Sequence, residues 1–473
     1  MAVSSQGRLL TSLTTCSDVL STILQNSALI ATSIRSEYLG QTNSLVEAID
    51  SLPTSGGKPL EKKMVVKDPS STSETSEILE GLRGERIGSQ DGGQGTGLLG
   101  TTIPFILRTV VFSVKLGDRS ASREDFTPSY FMANELSAGA MGAGKELLAA
   151  ILEIFELKSA LQTVQQKDLD ILLLHGPLTR SFSVFLGDNY YISESDMEVV
   201  IGKDLTEAFK AWKSSLPGPA QKDLDRFSSF GLIVFLLQML IDVAEKKGTL
   251  ICGVVERTTS TEVTQQILYQ NVTEIYSKNE DWFKKVTGSQ LKAPHDEYIK
   301  NFLDRLGYTD SLILGSLLKK GERTEWREGR ANRYQPDNRK NFGLPVGFIT
   351  GQRHLSDLVP VTFYSYIRTS NFNAPFRIEI PQWLDESRRE KLIQSVYAFS
   401  QFLPHYAFPV NLDIVDKLAK VPNWITNAFV GMITKEIYDG VASGKGMTID
   451  YSQLLSGKFR DWDIRPGVRK KIV

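Results

Sequence analysis

Between residues 103 and 257, β-branched apolar runs alternate with helical stretches, and that alternation constrains the fold more than any other feature. Ile103–Leu116 is long, β-branched and aromatic, which favours a strand. Glu146–Val164 has the composition and spacing of a strong helix. Asp170–Leu174 reads as a buried strand, ending at His175-Gly176-Pro177. Residues 219–247 read as helical and Leu250–Arg257 as another strand. Further on, residues 296–320, 388–402 and 411–420 read as helices, and Val361–Arg368 with Pro375–Ile380 as a hairpin. Strands alternating with helices predict an α/β fold: a mixed β-sheet flanked by helices. No internal repeat is visible.

The composition fits such a layered fold. Hydrophobic residues make up 41% of the 473 and charged residues 23%, enough for a sizeable core. The net charge of −1 gives no global field toward nucleic acid or membrane, so any contact with DNA must come from local basic patches. Two cysteines, Cys16 and Cys252, and four histidines exclude a disulfide framework and a cysteine-rich zinc site. They point to a reducing, cytoplasmic compartment. The N-terminal residues lack the basic-then-apolar layout of a signal peptide. Phe230–Ile241 is apolar enough for a bilayer but about half the length of a spanning helix, so it predicts a buried core helix and no membrane.

Five segments follow from these patterns. Residues 1–51 form an N-terminal helical extension, with Leu9, Leu13, Leu20, Leu24, Ile30 and Ile34 at helical spacings. Those apolar faces serve either core packing or an oligomer or partner contact. Residues 52–84 are rich in Pro, Ser, Thr and Lys and read as a linker or mobile loop. Residues 85–430 form the main domain, with a helical insertion near 190–247, and 431–473 form a C-terminal extension.

Several residues can carry chemistry. Asp91 is predicted to end a short strand over Glu85–Gln90, with Asp91–Gly97 as a turn; a carboxylate followed by glycines suits a hard metal ion, although Asp-Gly also marks ordinary turns. Glu153 and Glu156 share a face of an almost wholly apolar helix. They are either buried carboxylates that need a partner such as a metal, or Glu153 belongs to a solvated stripe with Glu146 and Lys158. His175 sits at a strand end, where ligands of open α/β sheets bind, though a lone histidine there is as compatible with a structural role. Gly139–Glu146 nearly spells a phosphate-binding loop, but Glu146 stands where the magnesium-binding hydroxyl belongs. Lys319–Lys340 carries Lys319, Lys320, Arg323, Arg327, Arg330, Arg333, Arg339 and Lys340, with Trp326 and Tyr334 interleaved. That pattern suits a nucleic-acid strand, with cations on phosphates and rings on bases, or a solvated loop. Arg465–Lys471 is a second basic cluster.

In order and spacing, several stretches resemble the NurA nuclease family over residues 85–425. They are Ser89–Gly95 with the strand that follows; Glu156–Leu161 before Leu172–Leu178; Gly253–Thr258; Thr309–Leu314 with Leu317–Arg323; Phe376–Pro381; and Phe408–Asp416. The resemblance implies an RNase H-like sheet, a homodimer, and DNA cleavage dependent on Mn²⁺ or Mg²⁺. It also implies a partner, a hexameric HerA-type DNA-translocating ATPase, in DNA end processing or anti-phage defence. Asp91 matches the family's first metal-binding aspartate and Glu156 its helix glutamate. His175 stands where the family has an aspartate. The late Tyr-Pro-x-x-Leu-x-x-Ala-His motif reads Phe408-Pro-Val-Asn-Leu-Asp-Ile-Val-Asp416, and a usual lysine is Glu256. Histidine and aspartate have traded places between 175 and 416. If they face one another, Asp91, Glu156, His175 and Asp416 form the expected metal and catalytic set, and the imidazole tilts preference toward Mn²⁺. Arg257, with Lys319, Lys320, Arg323, Trp326, Arg327, Arg330 and Arg333, completes the expected DNA-binding set. Two functions fit: a nuclease, or a catalytically weakened subunit that caps or regulates the translocase.

Overall fold

The computed structural model describes residues 16–33, 65–67, 75–97, 104–120, 123–133, 141–178, 192–216, 218–226, 228–258, 260–261, 263, 309–328, 359–403 and 406–442. Contacts divide the chain into two units, Met1–Val65 with Thr259–Lys319, and Val66–Thr258 with Lys320–Val473. The first unit contains α1 (Cys16–Ser33) and α8 (Asp310–Leu317). Thr309 caps α8 by accepting from the Leu312 amide, and Ser260 Oγ donates to Asp310 at 2.9 Å. Leu29 and Ile30 of α1 are exposed. Arg330, Arg333, Arg339, Lys340, Tyr334 and Arg465–Lys471 lie outside the described residues, as does most of the helical stretch expected at 296–320.

The sheet runs through β1 (Val65–Lys67), β2 (Arg86–Thr96), β3 (Phe105–Lys115), β4 (Glu124–Ala133), β5 (Ile171–His175), β6 (Leu250–Val255), β7 (Glu322–Thr324), β8 (Arg327–Glu328), β9 (Thr362–Ile367) and β10 (Phe376–Pro381). Its order is β1-β7-β9-β10-β6-β5-β2-β3-β4, with β8 on β9. The heart is β4-β3-β2-β5-β6. There β2, β3 and β4 form an antiparallel meander, and β5 and β6 add in parallel beside β2. This is the 3-2-1-4-5 strand order of an RNase H-like core.

Helices cover both faces: α2 (Thr75–Gly81), α3 (Met141–Gln166), α4 (Glu194–Ile201), α5 (Lys203–Ser215), α6 (Gly218–Arg226), α7 (Ser228–Lys247), α9 (Glu386–Ser400), α10 (Val410–Ala419) and α11 (Asn423–Ala442). Parallel strands need long crossovers, which α3 and the α4–α7 insertion supply. Such strands are buried on both sides, which explains the unbroken apolar run of β5. Leu172 packs into the core beneath α3 and α7, while Ile171 and Leu173 enter the opposite core with residues of α9 and α10. α7 extends past its apolar run and is long enough to cross a membrane by length and composition, but 72% of its apolar 18-residue stretch is buried in the protein. Its terminal Lys247 donates to the Val164 and Gln165 carbonyls at 2.7 and 3.0 Å, satisfying the end of α3.

The structure differs from these expectations at several points. Asp91–Gly97 is not a turn: β2 continues to Thr96, paired with β3 from Arg86↔Lys115 to Thr96↔Phe105. Tertiary pairing and the close packing of neighbouring elements override the local preference of an Asp-Gly-Gly sequence. β4 and α11, neither expected, add an edge strand and a helix. Within the expected linker lie β1 and α2. The phosphate-loop look-alike is also no loop in its described part, since Met141–Glu146 opens α3.

Candidate metal centre

The parallel register pairs Gln90 with Leu174, so the next residues, Asp91 and His175, lie side by side where β5 ends. Asp91 is nearly buried, its Oδ1 accepts from the Gly92 amide at 2.8 Å, and its Oδ2 lies 2.9 Å from His175 Nδ1. Asp416 approaches from α10 on the same face. Asp91, His175 and Asp416 each offer a donor atom within 4.8 Å of the others. Two carboxylates and an imidazole fit a divalent cation of the Mn²⁺ type.

The two glycines after Asp91 explain why this geometry exists. Side chains alternate along a strand, so residues 92 and 93 face opposite helices. A Cβ at Gly92 would overlap the Glu156 carboxylate and lie 2.6 Å from its Cγ. Gly92 therefore makes room for Glu156 on α3. A Cβ at Gly93 would meet the Ala419 carbonyl, with the Lys420 amide nitrogen at 3.2 Å. Gly93 lets the last turn of α10 rest on the strand backbone and carries Asp416 to Asp91. Gly95 continues the series against Val421 and Thr426. On β6, a side chain at Gly253 would strike the Gly176–Leu178 backbone, so that glycine lets the chain fold back just after His175.

Glu156 lies beside the three-residue cluster rather than within it. A cavity lined by Gln90, Asp91, Glu153, Glu156, Leu174 and His175 joins the two. Gln90 Nε2 donates to the Glu156 carbonyl at 2.6 Å, tying α3 to β2. Glu153, one turn away, is 3% exposed and lines the same cavity. This excludes the solvated-stripe alternative for Glu153. Lys158 is half-buried and donates to the Val200 carbonyl at 2.9 Å.

Burial pulls the His175 pKa down. The hydrogen bond and charge of Asp91, with the charges of Asp416 and Glu256, outweigh it and leave the imidazole above its ordinary value. Asp416 accepts from Lys420 Nζ at 2.6 Å, a cation that sequence reasoning does not single out. Phe408, at the family's tyrosine position, is buried with its ring 5.4 Å from that of His175. Its neighbour Ala407 takes a left-handed φ of 67°. Tyr406 is exposed instead, and its hydroxyl donates to Asp413. Burial, then Asp413, push that phenol up to about 12.

The basic set divides. Arg257 is exposed at the end of β6, 3.8 Å from Glu256. Lys319 and Lys320 are exposed. Arg327 is half-buried in β8. Arg323 is 3% exposed, pairs with Glu390 and lies 5.7 Å above the Trp326 ring. Trp326 itself packs against the core. Both are thereby withdrawn from a DNA surface: an arginine beside Glu322 in a short strand reads as basic surface until the partner from α9 is known.

Strand order, covering helices and an acid–imidazole cluster at a parallel strand end together define an RNase H-like α/β protein with a candidate metal centre. The NurA domain model matches residues 85–421, and the chain belongs to the NurA family. No curated protein matches the sequence. Among solved structures, the NurA nuclease from Sulfolobus solfataricus is 11% identical, with a TM-score of 0.45 over 78% of this chain and 91% of its own. A NurA bound to dAMP and manganese is 9% identical, with a TM-score of 0.34 over 86% and 93%. Endonuclease V from Bacillus subtilis is 7% identical, with a TM-score of 0.24 over 79% and 99%. These structural likenesses are loose, and the family assignment rests on the domain match.

Proposed function

We propose that the chain is a metal-dependent deoxyribonuclease that hydrolyses phosphodiester bonds at Asp91, His175 and Asp416, with Glu156 serving from the adjoining cavity. The observation that carries this reading is the convergence of donor atoms from β2, β5 and α10 to within 4.8 Å. Family membership supports DNA as substrate and Mn²⁺ or Mg²⁺ as the ion, and the imidazole favours Mn²⁺. A divalent ion held there supplies a Lewis acid for the phosphate and a more acidic water.

The chain's own residues do the rest. Asp91, between the strand pair and α10, is the central ligand. Its contact with Nδ1 orients the His175 ring, leaving Nε2 either to join the ion's shell or to carry a proton. Glu156, held over Gly92, positions the attacking water from the α3 side. Arg257 and Lys320 are exposed cations suited to the DNA backbone, and Lys319, Arg327, Arg330 and Arg333 remain candidates for the same role. The resemblance extends the proposal to a homodimer working in the cytoplasm with a hexameric HerA-type ATPase, in DNA end processing or anti-phage defence.

A second reading, a weakened subunit that caps the translocase, draws on Phe408, which sets a ring without a hydroxyl against His175. The purified chain should degrade linear DNA in Mn²⁺, alone or with the ATPase, and Asp91→Ala should abolish it. Undiminished cleavage by Asp91→Ala would sink the site assignment. Absence of cleavage by the unaltered chain under both conditions would favour the capping subunit.

A further inference from the structure

The cation at the mouth of this centre is Lys420, and two independent packing facts put it there. Gly93 lets the end of α10 sit on β2, bringing the Lys420 backbone within 3.2 Å of where a side chain would begin. One helical turn back, Asp416 anchors the ammonium at 2.6 Å. Asp91 adds its charge at the same ammonium. The lysine side chain is still 68% exposed, so it remains open to solvent while paired. The neighbouring Lys417 lies on the same helix but pairs with Asp413 instead.

We propose that Lys420 is a built-in second cation of the centre: it neutralises Asp416 in the metal-free protein and turns to a non-bridging phosphate oxygen once a divalent ion takes Asp416. The proposal rests on the nuclease reading for its substrate and on the packing of α10 for its geometry. A lysine is suited to this exchange because its ammonium is a flexible point charge. No bond is made or broken by it; the ammonium only redistributes charge between carboxylate and phosphate. Lys420 thereby supplies positive charge to the phosphate beside the bound ion.

Two properties of Lys420→Met separate this role from a surface ion pair. Loss of the competing ammonium should raise Mn²⁺ affinity by about tenfold in calorimetry, the scale of one neighbouring charge. The same variant should bind a short DNA duplex about tenfold more weakly in Ca²⁺, by fluorescence anisotropy, through loss of a phosphate contact. Lys417→Met should change neither. Unchanged or weaker Mn²⁺ binding by Lys420→Met, or unchanged DNA affinity, overturns the proposal. Both readouts are independent of turnover. A wild-type chain inactive in Mn²⁺ would therefore count against the nuclease reading alone, while metal and DNA affinities still decide the role of Lys420.

Discussion

Gly92 and Gly93 are neighbours in one motif, yet alanine at each should fail in a different way. Both lie inside β2, where alanine gains about 0.5–1 kcal/mol over glycine from the unfolded chain. At position 92 the new methyl meets the Oε1, Cγ and Cδ atoms of Glu156, the mobile end of a side chain. Glu156 can swing aside at a rotamer cost of about 0.5–1.5 kcal/mol, so Gly92→Ala should be close to neutral in stability. At position 93 the methyl meets the Ala419 carbonyl carbon at 2.8 Å and the Lys420 nitrogen at 3.2 Å, both main chain. The end of α10 must then retreat, an overpacking cost of about 1–3 kcal/mol. Differential scanning should show Gly93→Ala melting lower, by roughly 2–4 °C per kcal/mol for a domain of a few hundred residues, with Gly92→Ala near wild type. Mn²⁺ calorimetry supplies the second axis. Gly93→Ala should weaken binding by drawing Asp416 away. Gly92→Ala should largely keep the Asp91–His175–Asp416 site while cleavage falls with the displaced Glu156. A Gly93→Ala protein as stable as wild type, or a Gly92→Ala protein that unfolds first, would refute the packing argument for both glycines.

Other parts of the fold make separate predictions. Because His175 titrates above its ordinary value in the metal-free protein, its contribution to stability is complete below about pH 6.5 and fades as pH rises through the raised value. Asp91→Asn should remove that slope and lower the imidazole pKa in an NMR titration; an unchanged pKa would show that Asp91 does not hold the ring. Cys252 is wholly buried on β6, and burial pushes its thiol up, so site-resolved labelling should modify it only on unfolding; rapid labelling of the native chain would contradict the two-sided burial of β6. Arg323→Ala should destabilise the protein, since it removes a buried side chain that pairs with Glu390 and packs over the Trp326 ring. Its DNA affinity should stay within about twofold of wild type at temperatures where it is folded, and a larger loss would return Arg323 to the DNA surface.

Much of the core could be read directly because periodicity and burial coincide there. Ile103–Leu116 and β3, Asp170–Leu174 and β5, and the two segments of the β9–β10 hairpin agree to within a few residues. Each is apolar enough that burial alone selects a strand. β2 was only half legible, since its second half, Gly92–Thr96, is glycine-rich and polar. Those residues are strand because other elements press on them, and no local signal records that pressure. β4 was hidden for a related reason: at the sheet edge it leaves Phe126, Tyr130 and Met132 exposed and carries Pro128 in its interior. Asp91 and Glu156 emerged through the resemblance. Glu153 was visible by its spacing but not distinguishable from a surface stripe, because only the fold reveals which side of α3 meets the sheet. Lys420 carries no motif of its own, and its place depends on a contact with Gly93 more than three hundred residues earlier in the sequence.

The exchange between positions 175 and 416 can now be weighed physically. Relative to the pattern it resembles, the chain moves an imidazole from the helix to the strand end and a carboxylate from the strand end to the helix. The donor set is the same, two carboxylates and one imidazole, and the three groups still converge. What changes is the neighbourhood of each. On β5 the imidazole lies beside Asp91 across a parallel pair, so the strand end holds a hydrogen-bonded Asp–His contact where two adjacent carboxylates would repel. On α10 the carboxylate gains an i,i+4 relation to Lys420, which a histidine could not use as an ion pair. The exchange thus conserves what a cation needs while creating the position for a resident ammonium. Restoring the family-like arrangement with His175→Asp and Asp416→His together should keep Mn²⁺ binding, whereas Asp416→His alone should weaken it, because that change leaves only one carboxylate. If the double variant binds Mn²⁺ no better than Asp416→His alone, the groups do not act as one set, and the centre must be redrawn around Asp91 and Glu156.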